Sequence, residues 1–260
     1  MIIGVSYFGD VAFLPLVKAW WKVYQDSGCR YPVVITTDLK AVLPDEAVPY
    51  NPENPAPLSY LRFNTRLYPD IVRNNQAFDV QGAMAIQAIQ VLPRCLIVDA
   101  DAFFVKDPTE LIESLPRVMF GMGVDPNTLS INGCSERLNQ YQAGVLYYGT
   151  DSREDRKRLL QMYRKSFASL WPDNDNAFLE QASWSLVKHE LSKTGDSCTL
   201  PGSLNWSHAW KSESRRPADA GECYVLHEHG PHKWEFIAGV ERHPDTDRKI
   251  SRKYIDYYQT

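Results

Sequence analysis

Short apolar runs alternate with helical patterns along the amino-terminal part of the chain. Residues 2–5 and 33–35 are continuous apolar runs, and large apolar side chains between Leu14 and Tyr24 recur at the spacing of one helix face. Gly28 follows as a helix stop. A buried strand, a helix and a second buried strand are typical of the start of a parallel sheet, so the pattern predicts an α/β fold.

Comparable patterns predict further elements towards the carboxyl end. Residues 41–79 include a proline-rich stretch that breaks the pattern, and we expect an irregular region there, either a surface loop or a flap that faces the substrate. The predicted organisation is one domain over residues 1–240, followed by a separate tail at 241–260. Asp79 and Ser152 are the expected N-caps of two helices. The predicted strands cover 95–98, 118–122, 145–148 and 224–226, and the predicted helices cover 79–92, 152–169 and 178–192.

Composition and charge exclude several classes of protein. The 260 residues are 44% hydrophobic and 23% charged, which is ordinary for a globular chain and excludes bulk disorder. The formal net charge of −4 argues against a nucleic-acid binder that uses its whole surface. No apolar run reaches the roughly 20 residues that span a bilayer, and we see no signal peptide. Five widely spaced cysteines without a Cys-x-x-Cys pair indicate reduced thiols, so we expect a cytoplasmic protein.

An Asp-x-Asp triplet after a buried strand is the strongest chemical signal. The triplet occurs three times, but only Asp99 and Asp101 directly follow an apolar run, and the other two pairs are expected in solvated loops. Ligands of open α/β sheets bind at the carboxyl ends of the strands. Two carboxylates there repel each other unless a cation or a proton lies between them, so a metal site is favoured over a structural turn.

A histidine, a glycine and a lysine follow the last predicted strand. His227, Gly230 and Lys233 lie just beyond it, in a segment with two more histidines. The histidines alone are compatible with a zinc site or with a solvated loop. Together with Asp99 and Asp101, one imidazole and two carboxylates suit Mn²⁺ better than Ca²⁺. Lys233 provides a point charge for a phosphate.

The chain resembles glycosyltransferase family 8 in the order of three features. These are an apolar strand, an Asp-x-Asp triplet directly after it, and a late His-x-x-Gly-x-x-Lys element. The resemblance covers most of the chain. It implies one domain with the Rossmann-like GT-A fold, a mixed or parallel sheet flanked by helices, and a retaining, metal-dependent transfer of a hexose from a UDP-sugar. On this likeness Asp99, Asp101 and His227 are Mn²⁺ ligands, with Mg²⁺ as the alternative ion. Gly230 and Lys233 would contact the donor diphosphate.

Further motifs resemble the same family. Glu180 and Gln181 are similar to an Asp-Gln pair beside the anomeric carbon, which implies that both are catalytic. The segment 142–145 is similar to an Asn-Ala-Gly-Val strand near the sugar, a Leu-Pro…Asn element ends at Asn205, and Asp10 stands where the family contacts uracil. The implied donor-binding residues are Asp10, Phe13, Asp99, Gln142, Gly144, Asn205, Gly230 and Lys233.

The chain departs from the family pattern at two informative places. The family usually has a Lys or Arg shortly before the first metal Asp, but residues 81–84 contain no basic side chain, and Arg66 and Arg73 are the candidates to replace it. Ala182 stands where a further Asp often follows the Asp-Gln pair. Two alternatives stay open: an Asp-dependent phosphohydrolase of the haloacid dehalogenase type, and a non-catalytic domain that binds a nucleotide sugar or a nucleic acid.

The sequence says least about the acceptor and about the carboxyl-terminal tail at 241–260. The resemblance implies an acceptor hydroxyl, which a glycan, a lipid-linked sugar, a protein or a modified nucleobase can carry. Residues 241–260 contain five basic and four acidic residues together with three tyrosines. They predict either a helix packed on the domain or a basic, aromatic helix face that contacts an anionic membrane surface.

Overall fold

The computed structural model describes residues 1–7, 14–37, 43–72, 77–124, 141–170, 179–207 and 222–228. The strands in these ranges are β1 (Ile2–Ser6), β2 (Val33–Thr37), β3 (Val48–Pro49), β4 (Leu58–Arg62), β5 (Cys95–Asp99), β6 (Ala102–Phe104), β7 (Phe120–Val124), β8 (Tyr141–Tyr148), β9 (Ser197–Thr199), β10 (Trp206–Ser207) and β11 (Val225–His227). The helices are α1 (Leu14–Ser27), α2 (Ala77–Val91), α3 (Thr109–Glu113), α4 (Arg153–Leu170) and α5 (Leu179–Ser192).

The described strands form a large mixed sheet and a small one. The large sheet has the order β3-β4-β2-β1-β5-β8-β7-β9. Strands β3, β4, β2, β1 and β5 run parallel to one another, whereas β8 runs antiparallel to both β5 and β7. The small sheet has the order β10-β11-β6. The predicted α/β class with a mostly parallel sheet is therefore confirmed.

Helices cover both faces of the large sheet, which explains the continuous apolar runs. Ile3 and Val5 belong to the core cluster that contains α1, and Ile2 belongs to the cluster that contains α2, α4 and α5. Trp20 of α1 donates its buried indole N–H to the carbonyl of Ala102 at 2.7 Å. This bond ties α1 to β6, and so to the small sheet, at the carboxyl end of β5.

Two local expectations need correction. Residues 41–79, expected to be an irregular region, contain β3, a 3-10 turn at 65–67 and the sheet strand β4, which lies parallel beside β2. Asp79 is not the N-cap of α2, because that helix already begins at Ala77. The predicted cap of α4 is confirmed, since Ser152 Oγ accepts a hydrogen bond from the N–H of Asp155 at 3.2 Å. The tail at 241–260 lies outside the described residues.

None of the helices in the described ranges combines the length and the apolar composition that crossing a bilayer requires.

Candidate functional site

Asp99 and Asp101 lie at the carboxyl end of β5, a central strand of the large sheet. Asp99 is the last residue of β5 and pairs in register with Ser6 at the end of β1. Asp101 follows in the short turn that leads into β6. The two side chains are 22% and 15% exposed, so both carboxylates are accessible from solvent.

Strand β11 brings His227 to these carboxylates from a distant part of the chain. Antiparallel pairing with β6 sets His227 opposite Ala102, and the following N–H, of Glu228, donates to the carbonyl of Asp101 at 3.0 Å. Nε2 of His227 lies 3.3 Å from Asp101 Oδ1 and 3.7 Å from Asp99 Oδ2. One ligand atom from each of the three residues lies within 4.8 Å of the others. We call these three residues the triad.

The donor chemistry of the triad fits a divalent cation. Nδ1 of His227 lies 3.1 Å from Asn205 Oδ1, which leaves Nε2 to face the two carboxylates. Three electron-rich ligand atoms around one space repel one another unless a cation lies among them. Two carboxylate oxygens and one imidazole nitrogen are ligands that Mn²⁺ accepts, and three protein ligands leave positions open for phosphate oxygens.

Three predicted donor-binding residues lie around the imidazole of His227. Asn205 donates from Nδ2 to Gln142 Oε1 at 2.9 Å, and both side chains are buried. A Cβ placed on Gly144 would lie 1.8 Å from His227 Cε1, so only a glycine leaves room for the ring. The described contacts of Gln142, Asn205 and Gly144 therefore support His227, and their contact with the donor stays a prediction.

The two predicted catalytic residues begin helix α5 beside the same strand. Gln181 accepts the N–H of Ala143 through Oε1 at 3.4 Å, one residue from Gln142. Glu180 is buried and lies against α2, where a Cβ on Gly82 would come within 2.7 Å of its Cγ. The structure thus brings this pair to the end of β8 that borders the triad.

Of the other predicted site residues, the described ranges include only Arg66. Arg66, a candidate for the missing basic residue, is exposed in the 3-10 turn at 65–67. The remaining candidates, Asp10, Phe13, Arg73, Gly230 and Lys233, lie outside the described residues.

Two residues that the sequence analysis did not single out contact the triad. Gln81 of α2 donates from Nε2 to Asp99 Oδ1. Glu228 is 1% exposed and follows His227 directly. The available signal for Gln81 was its place among the few polar residues of a mostly apolar helix, but the sequence does not tell which of them faces the carboxylates.

Comparisons with known proteins identify the fold. Neither a protein-family model nor a curated protein sequence matches the chain. The structure is similar to that of the galactosyltransferase LgtC, solved with donor and acceptor sugar analogues, with a TM-score of 0.67 and 12% identity over 99% of this chain and 96% of that one.

Two further glycosyltransferases give similar agreement. The bifunctional glycosyltransferase WbbM has a TM-score of 0.62 and 11% identity over 98% of this chain and 51% of that one. Mouse xyloside xylosyltransferase 1 has a TM-score of 0.58 and 14% identity over 89% and 99%. At these identities the likeness shows the fold, and it confirms the expected GT-A type.

Proposed function

We propose that this protein is a retaining glycosyltransferase that transfers a hexose from a UDP-sugar to an acceptor hydroxyl with the help of Mn²⁺ or Mg²⁺. The observation that carries the proposal is the triad, in which His227 Nε2 lies 3.3 Å and 3.7 Å from two carboxylates at the carboxyl end of the sheet. Similarity in fold to glycosyltransferases such as LgtC supports it.

Asp99, Asp101 and His227 would hold the ion. When bound, a divalent ion neutralises charge that develops on the leaving diphosphate. The resemblance assigns Lys233 and Gly230 to the same diphosphate, with Lys233 as a point charge. Such electrostatic stabilisation is usually the largest contribution to catalysis.

Gln181 and Glu180 are the residues that we propose act beside the reacting carbon, C1 of the sugar. The bond between C1 of the sugar and the diphosphate oxygen breaks, and a bond between C1 and the acceptor oxygen forms on the same face. The departing phosphate takes the proton of the acceptor hydroxyl. A neutral amide is a weak nucleophile, so Gln181 stabilises the oxocarbenium-like species through its carbonyl oxygen. Glu180 orients Gln181 or the acceptor.

The decisive experiment is a donor-hydrolysis screen, because it requires no acceptor. Purified protein with Mn²⁺ is incubated with a panel of nucleotide sugars, and UDP release is measured with and without EDTA. We expect release from one UDP-hexose that stops in EDTA and in Asp101→Asn. The matched control is Asp26→Asn, which removes a carboxylate from a surface pair with Lys22 and changes stability by about 1 kcal/mol at most.

The same screen separates the alternatives. Release of phosphate from phosphomonoesters, without UDP release, would favour the phosphohydrolase. Binding of UDP-sugars without any turnover would favour a non-catalytic domain.

Once an acceptor from among glycans, lipid-linked sugars, proteins or modified nucleobases is found, NMR of the product formed from an α-linked donor gives the stereochemistry. A β-linked product would contradict retention.

A further inference from the structure

On the side of the ring away from the carboxylates, the imidazole of His227 contacts the amide of Asn205, which in turn contacts the amide of Gln142. Nδ1 of His227 lies 3.1 Å from Asn205 Oδ1, and Asn205 Nδ2 donates to Gln142 Oε1 at 2.9 Å. His227, Asn205 and Gln142 are 3%, 1% and 5% exposed, so this chain of contacts is closed to solvent. Buried polar groups of this kind are almost always hydrogen-bonded.

This chain of hydrogen bonds decides which ring nitrogen carries the proton. An amide oxygen only accepts, so Nδ1 must be the donor in its contact with Asn205 Oδ1. In a neutral imidazole the other nitrogen, Nε2, then has a lone pair. Nε2 is the atom that faces Asp101 Oδ1 at 3.3 Å and Asp99 Oδ2 at 3.7 Å.

The carboxylates by themselves favour the opposite tautomer. An N–H at Nε2 would donate to Asp99 and Asp101, whereas a lone pair there is repelled by both. When no cation is bound, Asn205 therefore favours the tautomer that the two carboxylates disfavour. The same tautomer is the one in which Nε2 can bind a metal ion.

We propose that Gln142 and Asn205 are positioning residues that set the tautomer of His227, and we call the two together the tautomer relay. Asn205 can present either its oxygen or its nitrogen, because the two ends of an amide have nearly the same shape. Gln142 decides between them, since its Oε1 accepts from Asn205 Nδ2 and turns Asn205 Oδ1 towards His227.

The backbone around the tautomer relay is adapted to it. A Cβ on Gly123 would lie 3.2 Å from Asn205 Nδ2, and a Cβ on Gly144 would lie 2.3 Å from His227 Nδ1. Glycines on β7 and β8 thus give Asn205 and His227 the room they occupy. The inference rests on the proposed function only in its consequence for metal binding, because the tautomer is a property of the metal-free protein.

The test measures the tautomer directly by ¹⁵N NMR of histidine side chains in the metal-free protein. The spectra are recorded as a pH series up to pH 10, and the tautomer is determined for the neutral imidazole, the form in which only one ring nitrogen is protonated. His227 is assigned from His227→Gln. We expect a protonated Nδ1 and an unprotonated Nε2 in the wild type. A wild-type protein with the proton on Nε2 would overturn the proposal, whatever the variants do.

Three substitutions at Gln142 test the direction of control. Gln142→Glu only accepts, so it keeps the orientation of Asn205 and the Nδ1–H tautomer. Gln142→Lys only donates, so it turns Asn205 Oδ1 away from His227 and moves the proton to Nε2. Gln142→Met has neither group and should give a mixture. A merely structural role for Gln142 predicts the same tautomer in all three.

Metal affinity separates this inference from the proposed function. Mn²⁺ binding followed by EPR should weaken 10–100-fold in Gln142→Lys, where the ligating histidine loses the partner that sets its tautomer. In Gln142→Met the loss should be smaller, because part of the population keeps the Nδ1–H tautomer. If the tautomers change as expected but the wild type binds no Mn²⁺, the metal-dependent function fails and the tautomer relay stands. If Mn²⁺ binds and the tautomer is the same in every variant, the tautomer relay fails and the metal site stands.

Discussion

A Cβ at position 144 would lie 1.8 Å from Cε1 of His227 and 2.8 Å from its Nε2. The imidazole therefore lies directly against the backbone of Gly144, in the middle of β8. Because β8 pairs with β5, this contact fixes the distance between the ring and the strand that ends in Asp99. The geometry of the triad depends on the absence of a side chain at 144.

We expect Gly144→Ala to lower Mn²⁺ affinity more than tenfold, because His227 must move away from the carboxylates. Overpacking of this kind also costs about 1–3 kcal/mol of stability. The control is Gly195→Ala, a residue with φ of 76° and no atom within 4 Å of the added Cβ, where left-handed backbone costs about 1–2 kcal/mol. Both variants are measured by calorimetric Mn²⁺ titration and by urea unfolding. Equal Mn²⁺ affinities in the two variants would contradict the prediction.

Gln81 supports Asp99 from helix α2. Its Nε2 donates to Asp99 Oδ1, so the other oxygen is left to face His227. Gln81→Leu should lower Mn²⁺ affinity about 10–100-fold, the range for loss of a partner of a metal ligand.

The control for Gln81 lies six residues further along the same helix. Gln87 is equally half-buried, but it donates to the carbonyl of Arg62, away from the triad. Gln87→Leu should leave Mn²⁺ affinity within twofold of the wild type. A similar loss in both variants would indicate that α2 as a whole, and not Gln81, supports the site.

The sequence indicates the central strands and the position of the carboxylates well. Strands β1, β2 and β5 are buried on both faces, so their apolar runs are continuous and easy to recognise. Asp99 follows such a run, which predicts its place at the carboxyl end of the sheet. Strand β4 was missed, because prolines surround it and its sequence, Leu58–Arg62, becomes polar at its end.

Contacts between distant segments are the part that local patterns do not predict. His227 meets Asp101 because β11 pairs with β6, and nothing in either short strand specifies the other as its partner. In the sequence analysis, ligand chemistry and the family resemblance joined these residues, and no strand pattern did. The contact of Gln81 with Asp99 was missed for a related reason, since packing in three dimensions, and not helical spacing, sets the direction of α2.

Burial raises the pKa of the Cys95 thiol to about 12, from an ordinary value of 9.0. The unfolded chain therefore loses this proton at a lower pH than the folded protein does. Stability from this group is complete below pH 9 and is lost as the pH rises towards 12. Between pH 8 and pH 10 the loss should be about 1.4 kcal/mol.

The measurement is urea unfolding of the wild type and Cys95→Ala at pH 8 and pH 10. The substitution lowers stability at both values, because it leaves a small cavity. The quantity that matters is the change between the two pH values, which should be smaller in Cys95→Ala by about 1.4 kcal/mol. The same change in both proteins would show that Cys95 does not contribute to the alkaline loss.

Position 82 of α2 has no room for a side chain. A Cβ at this position would lie 2.5 Å from Tyr163 Oη and 2.7 Å from Glu180 Cγ. In an ordinary helix interior, replacing glycine by alanine stabilises by about 1 kcal/mol. Here we expect the opposite sign, a loss of about 1–3 kcal/mol from overpacking. A longer side chain would displace Glu180, one of the two predicted catalytic residues.

A double-mutant cycle with Tyr163→Phe tests this steric cause. Removing the hydroxyl takes away the 2.5 Å contact and leaves the ring carbon Cζ at an ordinary 3.5 Å. Gly82→Ala should therefore cost less in the Tyr163→Phe background, with a coupling of about 0.5–3 kcal/mol, as is found for residues in direct contact. Urea unfolding of the four proteins gives this coupling. Additive losses would show that the Tyr163 hydroxyl is not the obstacle, and a stabilising Gly82→Ala in the wild type would show that the helix accepts a side chain at 82.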